Sequence, residues 1–139
     1  MKVALAQVDA TVGDLRGNAK RILAALVEAS RRGACLAVFP EQSLGGYPAL
    51  DLWEDRGFAQ ANEKSLAALA KKVRGTAALV GFVSRNKDRA GKPARNSAAL
   101  LHNGKIVAVR HKTLLPTYDV FDEARYFEPA RDNKPISWG

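Results

Sequence analysis

The chain has 139 residues, 47% of them hydrophobic, and carries a formal net charge of +8 at neutral pH. That is enough for one domain that buries about two-thirds of its unfolded surface, and too apolar a composition for a disordered segment. The single cysteine, Cys35, excludes an intrachain disulfide framework and fits a reducing compartment.

Residues 2–8 read as a short strand, and Gln7 and Asp9 interrupt it too early for a signal-peptide apolar region. No stretch approaches the roughly 20 apolar residues of a membrane span, so a cytoplasmic protein without membrane contact is expected. After the turn-like Thr11-Val12-Gly13-Asp14, Asn18 is placed to cap a helix running to about Arg32. Ile22, Leu26 and Ala29 fall on one face of it, with Leu23 alongside, and Gly33 stands where a C-terminal glycine cap belongs. Residues 35–39 form an all-apolar run, expected of a strand covered on both faces, with Cys35 a small buried hydrophobe in it. Pro40 ends that ladder because it has no N–H to donate.

Asp51-Leu52-Trp53 starts a short helical turn, and a second long helix is expected over residues 60–74, with Leu66, Leu69, Ala70 and Val73 inward. Residues 77–84 form a third buried strand. Residues 96–102 and 105–110 flank Asn103-Gly104, the strongest two-residue hairpin signal. The order β-α-β-α-β-β-β implies an α/β domain with helices against a mixed sheet.

The charge is uneven. Between Lys71 and Lys112 there are eleven Lys or Arg and one acid, Asp88, while the remainder is slightly acidic. The densest part is residues 85–95, a polar run between two strands with no aromatic residue interleaved for base stacking. It reads as a solvated loop in preference to a nucleic-acid surface.

Two ionisable groups follow apolar strands closely: Glu41 in Val38-Phe39-Pro40-Glu41 and Lys112 in His111-Lys112-Thr113-Leu114-Leu115-Pro116. A sheet fixes the position of such groups while the following loop exposes them. A carboxylate and an ammonium held at one sheet edge suit acid–base work on an amide; a structural ion pair is the plainer alternative. The chemistry also requires a nucleophile, and no residue of the sequence presents itself as one.

The run from Val38 to Pro48 resembles the first signature of the nitrilase superfamily of carbon–nitrogen hydrolases, and His111 to Pro116 resembles its second. The continuation from Thr117 to Phe127, with Ala4-Leu5-Ala6-Gln7 and Thr11-Val12-Gly13-Asp14-Leu15, is similar to the glutaminase domains of glutamine-dependent NAD⁺ synthetases. The resemblance implies an α-β-β-α sandwich, with residues 1–139 as the N-terminal part, about the first half, of a glutaminase domain. The implied chemistry is a Glu-Lys-Cys triad with Glu41 as general base and Lys112 as oxyanion stabiliser, hydrolysing glutamine to supply ammonia. Tyr118 would line the glutamine pocket and Glu123 would orient the lysine and the substrate amide. Without the family, Tyr118 reads equally as a packed aromatic and Glu123 as a capping or surface acid.

By the same resemblance the nucleophilic cysteine lies past the equivalent of Ser137-Trp138-Gly139, and Cys35, which precedes Glu41, cannot replace it. The 139 residues alone are therefore expected to be inactive. The glutaminase half-reaction takes no metal or cofactor; ATP and Mg²⁺ belong to a synthetase domain that receives the ammonia. A homo-oligomer is expected, and an incomplete sandwich would leave apolar sheet surface uncovered. The resemblance departs at Ala130, where relatives usually carry glycine. A stand-alone nitrilase-type amidase and a non-catalytic fragment acting by association are the other classes open to this sequence.

Overall fold

The computed structural model describes residues 1–139 except Arg89, Asn133 and Gly139. The Arg89 portion of the basic run and the last residue of Ser137-Trp138-Gly139 thus lie outside the described residues. The elements are β1 (Val3–Leu5), α1 (Leu15–Arg31), β2 (Leu36–Val38), a 3-10 turn (Leu50–Glu54), α2 (Arg56–Ala70), β3 (Ala77–Arg85), β4 (Ala94–His102), β5 (Lys105–His111) and α3 (Glu123–Tyr126). They build one five-stranded sheet in chain order. β1, β2 and β3 run parallel, and β3, β4 and β5 antiparallel.

Because β1-α1-β2 and β2-α2-β3 are successive crossovers in one direction, right-handed connection puts both helices on the same face. Ile22, Leu26 and Ala29 from α1 and Leu66, Leu69 and Ala70 from α2 share one core with Ala37, Val80, Phe82, Ala99 and Leu101. Val73, just past α2, joins them and is fully buried. The inward positions expected of both helices are correct. The opposite face carries Leu5, 75% exposed, and Val3, 40% exposed. Half-buried Leu36 and Val38 show that β2 is not covered on both faces among the described residues.

The expected element boundaries need correction, and capping carboxylates account for the earlier starts of both long helices. β1 spans Val3–Leu5 because only these residues pair fully with β2, although Ala6 N still donates to Val38 O at 2.9 Å. Helix α1 begins before Asn18: Asp14 is its cap, with Oδ1 accepting from Gly17 N at 2.8 Å. Asn18 is buried instead, and its amide donates to Thr11 O at 2.7 Å and Leu44 O at 3.1 Å. Its amide ties the loop after β1 to the loop after β2. Helix α2 likewise starts at Arg56, not residue 60, because Asp55 accepts from Gly57 N at 2.7 Å.

Cys35 is exposed, not buried. It stands at the leading end of β2, where the apolar run continues past the cover of the helices. The hairpin is as expected: Asn103 and Gly104 take φ of 46° and 84°, the left-handed pair that a two-residue turn demands. Of the 85–95 run, Arg85 ends β3 and Ala94 and Arg95 open β4; among the described residues between them most are exposed. Arg95 pairs with Asp88 at 2.6 Å and Arg85 with Glu63 at 2.8 Å.

Candidate active site

Glu41 opens the turn that follows β2. That turn is bonded onto β3: Phe39 N donates to Leu79 O at 2.9 Å, Leu44 N to Gly81 O at 3.1 Å, and Ser43 Oγ to the same Gly81 O at 3.3 Å. Gly81 is what allows so close an approach. A Cβ there would meet Pro40 O, lie 2.5 Å from Gln42 N and 2.8 Å from Glu41 Cα, all of them backbone atoms. The carboxylate of Glu41 thus takes its position from a glycine on the neighbouring strand.

Lys112 continues β5 by one residue, its N–H donating to Asn96 O at 2.8 Å while its own carbonyl accepts from Ala130 N at 2.9 Å. Alanine at 130 therefore does not prevent the returning segment from bonding there. Glu123 is the first residue of α3, anchored by its N–H to Pro116 O at 3.1 Å. Tyr126 Oη donates to Asp51 at 2.9 Å, and Tyr126 and Phe127 pack with Trp53, Val83, Ala94 and Ala49 in a second core. This core clamps α3 to the 3-10 turn and holds Glu123 in place.

The three charged groups converge. Lys112 Nζ donates to Glu41 Oε1 at 2.9 Å and lies 3.1 Å and 3.0 Å from the two carboxylate oxygens of Glu123. Asn96, buried in β4, donates through Nδ2 to Glu41 Oε1 and to Glu123 Oε2, the latter at 3.4 Å. The cluster borders a cavity of about 320 Å³ lined by Phe39, Glu41, Leu79, Gly81, Asn96 and Lys112, among others.

Burial pushes the Glu41 carboxyl upward, but hydrogen bonds from Lys112 and Asn96 with the lysine charge outweigh it and hold Glu41 below its ordinary 4.5. Burial dominates at Glu123, aided by repulsion from Glu41, and raises it despite Lys112. Burial opposes the charge on Lys112, yet the two carboxylates prevail and raise it above 10.5. Near neutral pH the site holds an ionised Glu41 beside a firmly charged ammonium, the state a general base and an oxyanion stabiliser need. The adjacent His111 stays neutral, since burial and then Arg95 and Arg110 lower it, and its Nδ1 meets Ser97 Oγ at 2.8 Å.

Of the residues singled out from sequence, Glu41, Lys112 and Glu123 come together. Glu123 is not a surface acid: it is 4% exposed, because α3 turns it inward onto the lysine. Tyr118 stands apart, 69% exposed and edge-on to Phe121, with no hydrogen bond to the trio among the described residues. Sequence reasoning overlooked Asn96, whose signal was an amide side chain inside a strand, where asparagine is depleted. It overlooked Tyr47 too; burial and then the negative charges of Glu123 and Glu41 raise its hydroxyl. Cys35 lies at the end of β2 opposite Glu41, bonded through Sγ to Lys2 O at 3.2 Å.

The family model described as carbon–nitrogen hydrolase matches residues 2–137. The chain is 42% identical over 134 residues to the glutamine-dependent NAD⁺ synthetase of Thermotoga maritima, covering 95% of this chain and 22% of that protein. With the corresponding synthetase of Synechocystis it shares 45% identity over 132 residues, covering 92% and 24%. The chain thus spans about a quarter of the length of these relatives. Its fold superposes on the Acinetobacter baumannii synthetase solved with ADP at a TM-score of 0.88 and 33% identity, covering 98% of this chain and 25% of that one. It also superposes, at 0.80 and 25% identity, on an amidase from Nesterenkonia sp. AN1, covering 100% and 54%. That structure is of a glutamate-to-glutamine variant carrying acrylamide added at its active-site cysteine.

Proposed function

The chain belongs to the carbon–nitrogen hydrolase family, and we propose that it supplies the base and the lysine of a glutaminase that feeds ammonia to NAD⁺ synthesis from deamido-NAD⁺. The observation that carries this proposal is the convergence of Glu41 and Glu123 on Lys112 at 2.9 to 3.1 Å beside an open cavity. The NAD⁺ synthetases that resemble nearly the whole chain support glutamine as the amide.

In this scheme Glu41 takes the proton from a thiol, and the thiolate attacks the glutamine amide carbon. The new C–S bond pushes the carbonyl electrons onto oxygen, where the Lys112 ammonium stabilises them. As the tetrahedral intermediate collapses, Glu41 returns its proton to the departing nitrogen, releasing ammonia and leaving a thioester. Water, deprotonated by Glu41, then releases glutamate and the thiol. Glu123 holds the lysine throughout, and Tyr118 meets the substrate from its exposed loop. The thiol is contributed by residues outside these 139, so the chain alone is inactive. ATP and Mg²⁺ act in a synthetase domain that is likewise outside, joined to this one in a cytoplasmic homo-oligomer. Among the described residues no helix is long and apolar enough to cross a membrane.

The test measures glutamate and ammonia release from glutamine by the intact protein and by the 139-residue chain. The intact protein is expected to turn over and to be stopped by thiol alkylation, with the isolated chain silent. Preference for simple aliphatic amides over glutamine would move the function to the amidase class. Turnover by the isolated chain would refute an external thiol.

Gly81→Ala provides a check on the geometry. The added methyl overpacks the Glu41 turn at a cost of about 1–3 kcal/mol. A displacement of Glu41 approaching 1 Å lowers turnover about a hundredfold. Thermal melts and hydrolysis rates of the same preparation separate the two effects; an unchanged rate would show that the turn does not set the base.

A further inference from the structure

Asn96 is the one neutral side chain that hydrogen-bonds both carboxylates of the site among the described residues. It is 3% exposed, in a strand position that polar residues disfavour. Its two amide hydrogens match two acceptors, Glu41 Oε1 and Glu123 Oε2, and the presence of two carboxylates fixes which end of the amide faces them. Its backbone carbonyl also receives the Lys112 N–H at 2.8 Å. One residue thereby touches both carboxylates through its side chain and the main chain of Lys112 through its carbonyl.

We propose that Asn96 is a positioning residue that keeps the two carboxylates on separate duties, locking Glu41 Oε1 so that Oε2 alone is left to take and return the proton. The distribution of donors supports this. Lys112 Nζ and Asn96 Nδ2 both bond Oε1, and neither bonds Oε2. The Glu41 side chain is 47% exposed and borders the cavity, whereas that of Glu123 is 5% exposed behind the lysine. Lysine alone does not separate the two acids, because its ammonium sits at nearly the same distance from each. Asn96 breaks that symmetry: it shares Glu41 Oε1 with the lysine and meets Glu123 only at 3.4 Å. A neutral donor does this without adding charge next to Lys112.

The catalytic part of this inference rests on the glutaminase proposal; the positioning part does not. The experiment therefore has two readouts, for Asn96→Ala and for the isosteric Asn96→Asp. In the 139-residue chain with ¹³C-labelled glutamate carboxyls, the Glu41 titration midpoint should rise by about one pH unit in Asn96→Ala, and further in Asn96→Asp. In the intact protein the acid limb of kcat/KM should rise with it, kcat falling about tenfold or more while KM for glutamine changes little. A Glu41 midpoint unchanged in both variants overturns the inference, whatever happens to activity. A shifted midpoint in a protein that never hydrolyses glutamine upholds the positioning role and removes the glutaminase proposal instead. Variants that melt earlier with wild-type midpoints and limbs would show a merely structural amide, which also overturns it.

Discussion

Lys112→Ala is expected to lower amide hydrolysis about a thousandfold, the scale seen when a donor to a developing oxyanion is removed. The loss has two physical sources. The ammonium no longer meets the tetrahedral oxygen, and the two carboxylates it held at 2.9 to 3.1 Å repel each other. Glu123 suffers more, since only 5% of its side chain reaches solvent and burial already raises it. Removing one partner of a buried pair leaves an uncompensated charge; with Lys112 29% exposed the cost is discounted to about 2 kcal/mol. In the variant Glu123 takes up a proton at higher pH, so destabilisation grows as pH rises from acid towards neutral. Glutamine-dependent and ammonia-dependent synthesis by the intact protein give the decisive comparison: the first should fail while the second persists. Normal glutamine turnover by Lys112→Ala would remove the lysine from the mechanism.

Glu41 was legible in the sequence because it closely follows an apolar strand, where a charge has no packing purpose. Lys112 follows β5, whose residues are exposed or half-buried, so its strand was less apolar than expected. The helical faces were legible for a related reason, since Ile22, Leu26, Leu66 and Leu69 repeat at the helical period and all are buried. Local polar chemistry misled where two residues competed for one role. Asn18 has the composition of a cap, but Asp14 reaches the helix first and Asn18 goes inside to bind Thr11 and Leu44. Cys35 and the one-sided cover of β2 show a different limit: an apolar run announces a buried strand without saying how far its covering layers extend. Gly81 and Asn96 could not be weighted from sequence, because their value depends on which backbone and which carboxylates the fold brings against them.

Glu41→Gln should cost about 10³ to 10⁴ in hydrolysis, because an amide of the same shape can accept from Lys112 but cannot take a proton. Stability near neutral pH should change by no more than about 1 kcal/mol, since the glutamine carbonyl still receives the lysine and Asn96 donors. The pH dependence distinguishes a lost base from a damaged fold. Glu41 is held below 4.5 in the folded chain, so its contribution to stability is present above that value and lost as pH falls through the lower folded one. Glu123 has the opposite sign: its raised carboxyl opposes folding while ionised, and protonation relieves it as pH falls. In the variant the first loss disappears, and Glu123 also sheds the repulsion from Glu41, which leaves burial to keep it raised. Thermal melts on either side of pH 4.5 should therefore show a gentler acid decline for Glu41→Gln than for the parent, alongside its missing turnover. An equally steep decline would mean that Glu41 is not the carboxylate Lys112 and Asn96 hold ionised, and the base would have to be sought at Glu123.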